Sequence, residues 1–380
     1  MSALGVNTHL DAWDRSMAAD GASGALDALV DRLRAEGQPR ALLDALLLRA
    51  RHELGLPTIA GGPLADLPEP GRTQYEERYV EALREVGGRL LDGGDIAAAW
   101  PYYRAIGEPE AVAAAIDAYT HDGRLDQVVE VAFNQGANPR RGFALILEHY
   151  GACAAISAYS GLPDDNATRI EAVDRLVRSL HAQLLANLNA DLGRAGIEPI
   201  AGPVRSILAA VPRLMADDAY HMDVSHLSAV VRLSPLLVDP DTIRLARELT
   251  DYGRALGPLH RAEDDPPFAD TYADHALYLS ALLGEDIEAA LTHLRGQVEA
   301  ADGDTIPAQV LVKLLDRLGR WDEAIEVADA HLADVPEGSL GCPGLATLCR
   351  KAGRPERLAE SCRRRGDAVG YAAALLAINR

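Results

Sequence analysis

The sequence predicts an all-α protein built from short helical hairpins that stack on one another, interrupted by a set of longer, irregular helices. Three observations carry this reading. Between Ile306 and Glu337, Leu311, Leu314, Leu315 and Leu318 fall at helical spacing before Gly319, and Ala324, Ile325, Ala328 and Leu332 fall at helical spacing after it. Trp321 follows the turn and Pro336 closes the second helix. Glycine turns recur at Gly284, Gly319 and Gly353, 35 and 34 residues apart. The hydrophobic 48% is mostly Ala, Leu and Val, with only 5% aromatic residues, a composition suited to close-packed helices. A hairpin of this length cannot bury its apolar face alone, so each must lean on a neighbour.

In chain order, residues 1–55 read as an N-terminal helical cap, its helices ended by Gly37 and Gly55. Residues 56–72, rich in Pro and Gly, read as a linker. Residues 73–161 read as degenerate helical repeats. Thr73 with Glu76 forms a capping box at their start, glycine turns stand at Gly94 and Gly123, and Pro101 predicts a kink or a helix start. From 162 to 270 the rhythm changes. Thr168 with Glu171 predicts a second capping box, and Ile170, Val173, Val177, Leu180, Leu184, Leu188 and Leu192 line one face of a helix longer than a repeat helix. This insert is the segment expected to be specialised. Residues 271–380 return to the hairpin period.

Leu318-Gly319, Trp321, Ala324 and Pro336, on a period of about 34 residues, resemble the second half of a tetratricopeptide repeat (TPR). Val312 and His331 stand where that family carries small residues. The resemblance covers 80–150 and 275–375. It implies a right-handed, TPR-like α-solenoid and brings no catalytic residues. Some such domains grip a peptide's carboxylates with Lys and Asn; Lys313 has no asparagine nearby, so that clamp is not carried over.

The chain has 380 residues and a formal net charge of −20, which argues against phosphate-backbone binding and favours cationic partners. Cys153, Cys342, Cys349 and Cys362 make neither a disulfide framework nor a paired zinc motif. The opening residues carry no secretory signal, and no apolar run reaches the roughly 18 residues of a membrane span, so a cytoplasmic location is expected.

For chemistry, the segment Tyr220-His221-Met222-Asp223-Val224-Ser225-His226 holds the one tempting histidine pair. Two imidazoles and a carboxylate suit a divalent transition metal, iron or zinc. On one uninterrupted helix the two rings would diverge by about 140°. With Asp223 as N-cap, and Met222 and Leu227 stapled across it, His221 instead sits ahead of the helix and can fold back. The metal set expected on this reading is His221, Asp223, His226 and His275. Asp223 serves as ligand or orienter, with Tyr220 or Asp274 as acid or base and His260 as a further candidate. Glu263-Asp264-Asp265 followed by Asp270 is an acidic run, but Pro266 and Pro267 force it into a loop unlike a magnesium-binding helix face.

Two functions follow as expectations. The first is a non-enzymatic repeat protein that binds a protein or peptide partner in a concave groove. The alternative is a metal-dependent hydrolase or non-haem oxygenase with its site in the insert. A small-molecule pocket between the insert helices and a homo-oligomer both stay open.

Overall fold

A computed structural model describes residues 3–59, 69–120, 123–260, 268 and 270–379. Residues 60–68 of the expected linker lie outside the described residues, as do Glu263, Asp264, Asp265, Pro266 and Pro267. Among the described residues the protein is all-helical, no strand forms, and no helix is long and apolar enough to cross a membrane. Contacts divide the chain into two units, Met1–Ile146 and Leu147–Arg380.

In the first unit the helices are α1 (Ala3–Glu36), α2 (Pro39–Glu53), α3 (Gly71–Asp92), α4 (Ile96–Ile106), α5 (Glu110–Asp117) and α6 (Leu125–Val129), which runs on as a π-helical turn. Neighbours in sequence pack as pairs, α1 on α2, α2 on α3 and α3 on α4. One core gathers Val30, Leu42, Leu46 and Val86; a second gathers Ala99, Trp100, Val112, Ile116 and Val128. The unit boundary falls inside α7 (Pro139–Ala158), whose Gly151 leaves helical geometry. Of the two alternatives at Pro101 the helix start is corrected: Pro101 lies inside α4, which Asp95 caps through the N–H of Ala98. The capping box at Thr73 is corrected as well. Thr73 does not cap α3, which starts two residues earlier; its hydroxyl and N–H instead turn back to Glu69 Oε2 at 2.9 and 3.4 Å.

The second unit contains α8 (Asn166–Arg194), α9 (Val204–Ala210), α10 (Val224–Leu233), α11 (Pro240–Ala255), α12 (Thr271–Leu282), α13 (Ile287–Ala300), α14 (Ile306–Arg317), α15 (Trp321–His331), α16 (Leu345–Ala352), α17 (Pro355–Arg365) and α18 (Ala368–Ile378). The expected long helix is α8, 29 residues. Its cap is Asp165, which accepts from the N–H groups of Ala167 and Thr168, so the helix begins before the Thr168 box predicted for it. Val173, Val177, Leu180, Leu184, Leu188 and Leu192 are each 0% exposed. Each such side chain contributes roughly 1.5–3 kcal/mol of burial free energy. The helix packs on α10 and α11.

From α11 onward each helix packs on the next. The glycine period has a structural cause. At Gly319 the chain takes φ of 71°, the N–H of Gly319 reaches Asp316 O, and the N–H of Arg320 reaches back to Leu315 O at 2.9 Å. Gly353 repeats the same pair of bonds to Arg350 O and Cys349 O. This is the Schellman stop, and only glycine enters the left-handed region there without a Cβ penalty. Gly284 closes α12 the same way. Arg363, Arg364 and Arg365 occupy the last turn of α17, where they complement the helix dipole, and each finds a partner, respectively Tyr371, Asp329 and the carbonyl of Ala333.

Candidate binding groove

The histidine segment folds as a loop leading into α10. Asp223 is its N-cap, accepting from the N–H of Ser225 at 2.8 Å and of His226 at 3.3 Å. The Ser225 hydroxyl adds a third bond, and together these hold the Asp223 carboxyl below its ordinary range. Met222 and Leu227 are both buried on either side of the cap. His221 packs edge-on to Tyr252. Its N–H donates to the Tyr252 oxygen at 2.6 Å, its Nδ1 lies 3.3 Å from that oxygen, and its Nε2 lies 3.6 Å from Asp191 Oδ2. His226 stays half-buried in the first turn of α10. His275 is 1% exposed and stacks on Phe268, with its Nδ1 2.6 Å from Thr271 O. A carbonyl only accepts, so that Nδ1 carries the proton. Tyr220 is exposed against the ring of His260. Among the described residues no three His, Cys, Asp or Glu side chains gather in a way that could hold a metal ion.

The neighbouring Asp274, rather than His275, organises polar contacts. It is 5% exposed, and its carboxylate takes His293 Nε2 at 2.7 Å, Gln297 Nε2 at 3.2 Å and the N–H of its own helix cap Asp270 at 3.1 Å. That cluster ties α12 to α13. Sequence reasoning passed over His293 and Gln297 because they lie on the next helix. The cysteines are free. Cys153 is exposed, whereas burial pushes Cys342 and Cys349 up to about 11, out of the reactive range.

A cavity of about 500 Å³ lies wholly within the second unit, between α9, α11, α12 and the turn after α12. Arg247, Asp251 and Arg254 fall at i, i+4 and i+7 of α11, so they share one face and form one wall. Ala273, Ala276, Leu277 and Ser280 follow the same spacing on α12 and make a floor of mostly small side chains. The two helices run antiparallel. Gly253 at the end of α11 lies against the Tyr272 ring at the start of α12, while Arg247 pairs with Glu285 beyond the end of α12. Arg205 enters from α9, one residue after Val204, whose N–H donates to Glu248 Oε2 at 3.0 Å.

The electrostatics of this groove are unusual for an acidic chain. Burial pushes the Asp251 carboxyl above its ordinary range even though Arg205, Arg247 and Arg254 all pull it down, Arg205 most strongly of the three. Arg247 is committed to Glu285. Arg205 and Arg254, both exposed, line the groove and make no hydrogen bond or ion pair among the described residues. Glu285 and Asp286 stand at the opposite end. The i, i+4, i+7 spacing on α11 was visible in the sequence. Nothing in the sequence places Arg205 beside it.

Comparison of the chain with family models, with curated proteins and with solved structures gives no match in any of the three.

Proposed function

We propose that the protein is a helical-repeat protein of the TPR-like kind that binds a segment of a protein partner in the groove between α11 and α12. The groove carries this reading. Its floor of Ala273, Ala276 and Ser280 lets a peptide backbone come close, and Leu277 offers one apolar contact. Its walls are charged, and their donors and acceptors can fix the register of a bound segment. The regular glycine stops and the stepwise packing from α12 to α17 support the repeat architecture on which such a groove is displayed.

The test is selection from a displayed library of random peptides, followed by affinity measurement on the wild type and on Ala273→Trp, which fills the floor at a partly exposed position. Enriched peptides should bind the wild type and lose at least tenfold on the filled variant, whose helical circular dichroism must be unchanged. Enriched peptides that bind both forms equally would remove the groove from the function.

A further inference from the structure

We infer that the groove selects an acidic peptide segment, with its carboxylates seated on Arg205 and Arg254; this rests on the reading of the groove as a partner site. Two exposed guanidinium groups without a protein partner among the described residues stand beside a half-buried carboxyl. A guanidinium keeps five N–H donors and stays charged at every relevant pH, and it meets a carboxylate through two parallel bonds. Among the described residues neither arginine makes a hydrogen bond or ion pair, and Asp251, which feels both charges, bonds to neither. The cationic pair is therefore available to a carboxylate that arrives from outside.

The groove also has a direction. From Arg254 to Arg247 is seven residues, or about 10 Å along the helix, and the far end carries Glu285 and Asp286 while Arg247 is neutralised by Glu285. An acidic side chain is attracted at the Arg254 end, away from the Arg247–Glu285 pair, and repelled at the Glu285 and Asp286 end. Between them Ala276 and Leu277 take a small or aliphatic side chain. The segment so described has acidic residues at one end, an aliphatic residue next, and no acidic residue beyond it. A partner of opposite design, basic at the first end, meets the two arginines and is excluded by like charge.

The experiment is fluorescence anisotropy with labelled Glu-Glu-Ala-Leu-Ala-Gln-Gly, its counterpart with both glutamates replaced by glutamine, and free glutamate as competitor. The wild type should bind the acidic peptide at least tenfold more tightly than the neutral one, less so as sodium chloride rises. The double variant Arg205→Gln with Arg254→Gln should lose about tenfold, two exposed charge pairs at roughly 0.5–1 kcal/mol each. It should retain its affinity for the neutral peptide. Equal binding of the two peptides, both lost on Ala273→Trp, would overturn the acidic preference while leaving the groove's role intact. Failure of the acidic peptide to bind at 1 mM, retention of the preference in the double variant, or displacement by free glutamate at concentrations comparable with the peptide would each overturn the inference.

Discussion

Gly253→Ala and Gly296→Ala are the same substitution in two adjacent regions of one unit, and they should change stability in opposite directions. In a helix interior alanine is favoured over glycine by up to about 1 kcal/mol, because glycine loses more backbone entropy on folding. At Gly296, on α13, an added Cβ meets nothing within 4 Å, so the whole propensity gain should appear. At Gly253 the same Cβ would lie 2.3, 2.4 and 2.6 Å from Cδ1, Cε1 and Cγ of Tyr272, where ordinary contact begins at 3.4 Å. The ring is 3% exposed and its backbone N–H is held by the Asp270 cap at 3.0 Å, so it has no outward route. Separation of α11 from α12 by about 1 Å is the remaining relief. Overpacking of this kind costs about 1–3 kcal/mol, and three ring atoms in conflict place it towards the upper figure, leaving a net loss of about 1–2 kcal/mol.

Thermal unfolding by circular dichroism, with urea titration beside it, reads this difference. For a unit of this size 1 kcal/mol moves Tm by about 2–4 °C, so the two variants should separate by about 4–12 °C. Hydrogen exchange should locate the loss at Gly253 in α11 and α12. A Gly253→Ala protein as stable as Gly296→Ala would refute the close packing of those two helices, and with it the walls of the groove.

Three further outcomes are expected. Asp274→Ala leaves His293, Gln297 and the N–H of Asp270 without their shared acceptor, and should cost about 2–4 kcal/mol in urea unfolding; a loss below 1 kcal/mol would show the cluster to be solvated. Because the folded-state pKa of Asp251 is raised, the folded protein holds its proton more tightly, so stability falls as pH rises from about 4 through that higher value and the deficit persists to neutral pH. Asp251→Asn should therefore raise Tm at pH 7, make no difference near pH 3, and strengthen acidic-peptide binding a few-fold, all of which a pH series of melts and titrations would read. His221→Ala should lower Tm through loss of packing on Tyr252 and of its contact with Asp191, equally with and without EDTA; if EDTA alone reproduced the loss in the wild type, a metal role for His221 would be supported instead.

The helical class was legible because it rests on local rules. Leucines at 3 and 4 spacing need no distant information to declare a helix, and a glycine that must take positive φ marks its end at Gly284, Gly319 and Gly353 alike. Asp223 and Asp270 were readable as caps for the same reason, since the bonds they accept come from two and three residues away. Thr73 and Thr168 failed because a stronger acceptor stood just upstream in each case, Glu69 and Asp165, and the pattern of a box alone does not weigh competitors. The partner of Asp274 was invisible for a different reason. Asp274 and His293 meet only through the packing of α12 on α13, which sequence spacing does not specify.

The net charge of −20 points by itself to cationic partners, and the groove points the other way. The proposed acidic preference is compatible with that charge because the two concern different distances. At physiological ionic strength fields decay over about 8 Å, so carboxylates elsewhere on the surface contribute little to a ligand already seated between α11 and α12. On the proposed reading Arg205 and Arg254 would act at contact there, while Glu285 is paired with Arg247. On that reading, composition would govern what approaches the protein and the groove arginines what remains bound. Arg205 is carried on α9, which packs on α11 and whose Val204 N–H donates to Glu248, a bond between residues 44 apart in the chain.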